Sequence, residues 1–135
     1  MDSFFVEGKP VPQGSLKFIH GRPIHERATD LAVWRANIAR EARHAGVTKQ
    51  MDGSVWIHLT FFMRSPKTVR REEPYVKPDL DKLIRAVLDG LTGVAYDDDC
   101  QVTRIEAEKH YCDEFNPDPG VWIALNKNKW TQLGT

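Results

Sequence analysis

Polar and apolar positions in this chain alternate with two periods, and the change from one to the other marks its elements. "SFFVEG" (3–8) reads as a short strand, and "KPVPQGS" (9–15) breaks it with two prolines and a glycine. "LKFIHGRPIHE" (16–26) has the form of a hairpin turning at "HGRP". From Asp30 to Ala45 the period becomes helical, with Leu31, Trp34, Ile38 and Ala42 at spacings of three and four. Thr29 or Asp30 suits the helix start, and Gly46 suits its end. "SVWIHLTFFM" (54–63) is a strand rich in β-branched and aromatic residues. A second helix is predicted over 81–91, with Leu83, Ile84, Val87, Leu88 and Leu91 facing the core and Gly90 and Gly93 marking its end. "CQVTRIEAEKHY" (100–111) alternates as a strand with a bulge. "GVWIALN" (120–126) is the last strand, reached through the turn "NPDPG" and expected to pair with its predecessor as a hairpin. The order β-α-β-α-β-β predicts an α+β domain of two layers, with two main helices packed on a mixed β-sheet. Nothing divides residues 1–135 into two units, and 128–135 reads as a loose tail.

A length of 135 residues with 41% hydrophobic and 10% aromatic content supports one packed core. No apolar run approaches the length of a membrane span. The N-terminus lacks a basic start and a long apolar stretch, and Cys100 and Cys112 are too few for a disulfide scaffold. The expected compartment is therefore the cytoplasm. The net charge of zero conceals segregation, because residues 64–85 carry seven Lys/Arg against four Asp/Glu while residues 86–118 carry two against nine. The segment 64–78, "RSPKTVRREEPYVKP", holds three prolines and five basic residues, Lys67, Arg70, Arg71 and Lys77 among them. That composition excludes a helix and describes a long basic loop, either a plain surface loop or a lid over nucleic acid. Arg35, Arg40 and Arg43 lie off the first helix's apolar stripe, as solvated charges or phosphate contacts.

The acids around the second helix raise a chemical question. In "KPDLDKL" (77–83), Asp79 sits where an N-cap belongs and Asp81 sits in the first turn, where a helix dipole favours an anion. Each has a plain structural explanation alone. "AYDDDCQV" (95–102) then adds Asp97, Asp98 and Asp99 just before a strand. Two carboxylates brought to about 4 Å repel by about 4 kcal/mol at an effective dielectric near 20, a cost that a proton or a divalent cation relieves. Oxygen donors favour Mg²⁺ or Mn²⁺. Such a site suits phosphodiester hydrolysis, with Arg85, one turn after Asp81, and Lys82 available to a phosphate.

"KPDLDKLIRAVLDGLTGVAYDDDCQV" (77–102) resembles the signature of the RusA-type Holliday-junction resolvases, which is D-x-D opening a helix followed by D-D-x-Q entering a strand. "GKPVPQGS" and the "WR" helix resemble that family's N-terminal part. The resemblance implies a small homodimeric endonuclease that needs Mg²⁺ and resolves four-way DNA junctions by paired symmetrical nicks. It places the metal carboxylates on Asp79, Asp81 and Asp99, with Asp98 assisting, and makes Arg85 a catalytic cation. Asp89 becomes an orienting or structural residue rather than a ligand, and Asp97 a solvated one. Lys67, Arg70, Arg71, Lys77 and Lys82 are the expected DNA contacts. Two positions depart from the family's habit: Arg85 stands where lysine is common, and Lys82 where asparagine is common. A twofold dimer matches the symmetry of a junction. Two rivals remain. A PD-(D/E)xK nuclease fits poorly, because "EAEKH" (106–110) spaces its acids and lysine wrongly. A DNA-binding module without catalysis would leave the acids as caps and surface charge.

Overall fold

The most apolar strand lies inside the sheet and the most charged one lies at its edge. The computed structural model describes residues 2–14, 16–19, 22–25 and 28–127. Its strands are β1 (Asp2–Glu7), β2 (Leu16–Ile19), β3 (Arg22–His25), β4 (Val55–Met63), β5 (Val102–Tyr111) and β6 (Gly120–Lys127). Its helices are α1 (Ala28–His44) and α2 (Leu80–Leu91). Four strands form one mixed sheet in the order β1-β6-β4-β5, antiparallel except for β4 and β5. The predicted α+β architecture and element order are those observed. β2 and β3 pair as a separate antiparallel hairpin, with Ile19 opposite Arg22. The hairpin tip, His20 and Gly21, and the tail 128–135 lie outside the described residues.

One face of the sheet is dry. Val55, Ile57, Leu59 and Phe61 of β4 and Val121, Ile123 and Leu125 of β6 point to it, each nearly inaccessible to water. Leu31, Trp34, Ile38 and Ala42 of α1 and Leu83, Ala86, Val87 and Leu91 of α2 cover that face in one cluster. These are largely the stripes that the helical period selects. The helices meet at Gly90, where a Cβ would stand 3.1 Å from the Ile38 side chain. Gly90 is thus a close-packing residue inside α2. The chain turns afterwards through Gly93, at φ +87°. Tyr96 closes that turn, its hydroxyl donating to the Leu88 carbonyl at 2.6 Å. Burial holds the Tyr96 phenol well above its ordinary pKa, so it stays a donor.

The last two strands do not form the expected hairpin. β4 lies between them, parallel to β5 and antiparallel to β6. The reason is burial. β6 offers three inaccessible aliphatic side chains and takes an interior place, whereas β5 reads "VTRIEAEKHY" and suits an edge, where charge discourages further pairing. The expected bulge is present: Val55 pairs Val102 and Trp56 pairs Arg104, which leaves Thr103 as the extra residue. Because β4 and β5 are parallel, the chain must return between them, and α2 is that return.

Candidate active site

Asp79 occupies the N-cap of α2 with extended backbone (φ −68°, ψ 138°), yet its carboxylate makes no capping hydrogen bond. The structural duty that would explain it is therefore not performed. Its nearest cation is Lys82 Nζ at 3.6 Å. Asp81 and Arg85 follow on one exposed stripe of α2, and half-buried Asp89 continues it. The N-terminal loop runs beside this stripe. Gln13 N–H donates to the Lys82 carbonyl at 3.0 Å, and Gly14 leaves room for the Arg85 guanidinium, which would stand 3.0 Å from a Cβ there. The Gln13 amide donates to Asp89, and Arg35 Nη1 reaches the same carboxylate at 3.4 Å. Asp89 is thus occupied in tying the N-terminal loop and α1 to α2.

Sequence reasoning missed the parts played by Gln13 and Arg35. The available signal was the loop's own composition: a glycine and two prolines around one amide specify a shaped loop. Arg35 instead sat among three arginines of one helix, with nothing to single it out.

The other acidic stretch is built differently. Asp98 caps a single 3-10 turn (Asp99–Gln101), its carboxylate accepting from Cys100 N–H at 3.0 Å. The Gln101 amide is the pin of this loop. Its Oε1 accepts from the N–H groups of Asp97 and Asp98 at 2.8 and 3.0 Å, and its Nε2 donates to the carbonyls of Gln50 and Gly53 at 2.9 and 3.1 Å. The glutamine of the D-D-x-Q pattern thus positions the acids ahead of it. The hydrogen bonds from Cys100 hold the Asp98 carboxyl below its ordinary value. Partial desolvation, then Asp98 and the charge on Asp89, hold Asp99 above its own. The linkage therefore has opposite signs: Asp98 contributes stability above its unfolded pKa that is lost as pH falls. Asp99 contributes stability below its unfolded pKa that is lost as pH rises.

The two acidic stretches lie at opposite ends of α2. Lys109, near the end of β5, donates to the Val76 and Pro78 carbonyls just before Asp79, at 2.9 Å each. Gln101, at the start of β5, holds the loop of Asp97–Asp99. Asp99 feels the charge on Asp89, near the C-terminal end of α2, and eight helical residues set Asp81 about 12 Å from Asp89 along the axis. Among the described residues, no three His, Cys, Asp or Glu side chains stand close enough to share a metal ion. Within one protomer, then, Asp79 and Asp81 are neighbours, Asp98 and Asp99 are neighbours, and the pairs do not meet.

The basic loop 64–78 closes over the Asp79 end. Lys67, Arg71, Lys77 and Lys82 line a cleft there, while Arg70 is exposed outside it. Arg71 donates to the Tyr111 hydroxyl at 2.9 Å and lies 5.6 Å from the ring centre of Tyr75. Lys109 and Arg71 together anchor the loop to β5. Replacing Lys109 with Met removes charge-assisted hydrogen bonds worth about 1–2 kcal/mol at this partly exposed site. Cutting at Glu72 and Glu73 by a glutamate-specific protease is then expected to speed up about 5–30-fold. An unchanged rate would show that Lys109 does not restrain the loop.

An α+β core thus carries one aspartate, Asp79, at a helix mouth without a capping bond, beside a cationic cleft. The model of the family described as Endodeoxyribonuclease RusA matches residues 7–125, and the chain belongs to that family of Holliday-junction endonucleases. It is also similar to the uncharacterized protein YqaN of Bacillus subtilis (strain 168), with 26% identity over 125 residues, covering 82% of this chain and 88% of that protein. Among the described residues, no helix is long and apolar enough to cross a membrane.

Proposed function

We propose that this endodeoxyribonuclease resolves four-way DNA junctions as a homodimer, by paired nicks that require Mg²⁺, with Mn²⁺ as a substitute. The observation that carries the reading is Asp79, a carboxylate at a helix N-cap that forms no cap and borders a cationic cleft. Among the described residues of one protomer, no three carboxylates stand close enough to share a metal ion, with Asp79 and Asp81 toward one end of α2 and Asp99 toward the other. A twofold dimer that sets α2 antiparallel to its copy would supply the missing acids from the second protomer. Asp79 and Asp81 of each protomer then approach Asp99 of the other, with Asp98 beside it, and two equal sites result.

Bound there, the ion would supply an activated water and screen charge on the phosphate. The chain's own residues do the rest. Arg85 and Lys82 bear on the phosphate, Gln101 holds Asp99 in place, and Asp89 fixes the N-terminal loop along α2. Lys67, Arg70, Arg71 and Lys77 contact the DNA backbone. Arg85 differs from lysine in shape and in staying protonated, so it acts here as a charge rather than a proton carrier.

The test is incubation with a synthetic four-way junction in Mg²⁺ and in EDTA. Paired nicks with metal alone support the reading, whereas binding without nicks in either Mg²⁺ or Mn²⁺ makes the protein a binding module. Gln101→Ala frees two N–H and two carbonyl groups. The expected cost is about 1–3 kcal/mol in urea unfolding and a roughly 10–100-fold slower cut, as for groups that orient metal ligands. A variant that cuts at the normal rate would remove the loop from the site.

A further inference from the structure

The cleft beside Asp79 has a volume of about 940 Å³, at the upper end of the roughly 300–1,000 Å³ typical of pockets that enclose a whole ligand. Four parts of the chain supply its cations, β5 among them through Lys109. Lys9 comes from the N-terminal loop, Arg64, Lys67 and Arg71 from the long loop, and Lys77 and Lys82 flank Asp79. Asp79 is the one carboxylate among its lining residues. Lys9, Arg64, Lys67 and Lys77 form no ion pair with any described acid. So much unpaired positive charge around one recess calls for a polyanion.

The walls narrow the choice. Pro10, Pro12, Pro66, Pro74, Pro78 and Pro119, six of the chain's eight prolines, line the cleft together with Met63 and Tyr111. Proline offers no N–H and little flexibility. Such walls stack against sugars and bases without reading base edges. A duplex carries its phosphates on the outside of a wide rod and buries its base faces, so it can use the cations but not the walls. An unpaired strand exposes both its phosphates and its bases, and stacking on apolar or aromatic side chains is how proteins hold one without sequence preference. Tyr75, 78% exposed at the rim beside Arg71, extends the same surface outwards.

We propose that this cleft binds an unpaired segment of the DNA strand at the branch point and leads it past Asp79, so that selection for branched DNA rests on strand opening. The proposal takes its DNA from the endonuclease reading and adds the feature of the DNA that is recognised.

The experiment measures binding without cutting. Fluorescence anisotropy in EDTA compares a labelled octathymidylate with a duplex of equal length, for the wild type and for the double variant Lys9→Ala, Lys67→Ala. Circular dichroism and thermal melting confirm that the variant is folded. The wild type is expected to bind the single strand at least about tenfold more tightly than the duplex. The variant is expected to lose about tenfold in affinity for the single strand. Its slope of log K against log salt should be shallower by about 1.4, at about 0.7 for each lost phosphate contact on single strands. Equal binding of duplex and single strand, or an unchanged affinity in the variant, overturns the proposal. A protein that prefers the single strand but never nicks a junction defeats the resolvase reading alone. One that nicks junctions but shows no such preference defeats the cleft proposal alone.

Discussion

Mixing Asp81→Asn protein with Asp99→Asn protein is expected to restore cutting that neither variant has alone. Each single variant should lose on the order of 10²–10³-fold in rate, comparable to removing one preorganised group that stabilises transition-state charge. Asp79→Asn should behave as Asp81→Asn does. The mixture differs if each centre is shared between two protomers, as proposed. In a dimer of the two variants, one centre combines both substitutions, while the other draws intact Asp79 and Asp81 from one chain and intact Asp99 from the other. That dimer should nick one strand of a junction but not make the paired cut. Denaturing gels that resolve single from paired nicks read the outcome. No recovery after subunit exchange would mean that each centre is assembled otherwise, and the antiparallel pairing of α2 would be lost with it.

Replacing Gly120 with Ala is expected to cost about 3 kcal/mol, the upper end for overpacking, and to lower the melting temperature by roughly 10 °C. An added Cβ would stand 2.3 Å from the Val6 carbonyl oxygen and 2.5 Å from the Phe5 ring. The first of these is backbone, held by the pairing of β1 with β6, and a ring cannot absorb the whole displacement. Gly46 and Gly93 supply the comparison. They have φ of +81° and +87° and nothing within 4 Å of a Cβ, so alanine there meets only left-handed strain, about 1–2 kcal/mol. Equal melting temperatures for the three alanine variants would show that β1 yields more readily than its pairing suggests.

Local signals carried most of the elements. Leu31, Trp34, Ile38 and Ala42 announced α1, and the aliphatic stripe announced α2 to within one residue at its start. The bulge after Val102 was visible as a break in alternation. Pairing was less visible, because strand partners are chosen by competition for burial across the whole sheet. The contrast between "VWIAL" and "TRIEAEK" already held the clue that β6 belongs inside and β5 outside. The acids show the same limit. That Asp79 and Asp81 share a helix start was plain from spacing. The separation of Asp99 from them depends on β4 and β5 running parallel, and this follows only once the sheet order is known. Gln101 was legible as part of a pattern, but two of its four hydrogen bonds go to carbonyls some fifty residues away.

If each centre draws its acids from two chains, the length of α2 is also a safety device. On the two-protomer reading, a lone chain keeps its acids apart like the two halves of a key, and a diluted enzyme is harmless to the chromosome. Cutting capacity should then grow with the square of protein concentration until dimers saturate. A substrate with two opposed strands would both assemble the scissors and receive their two cuts.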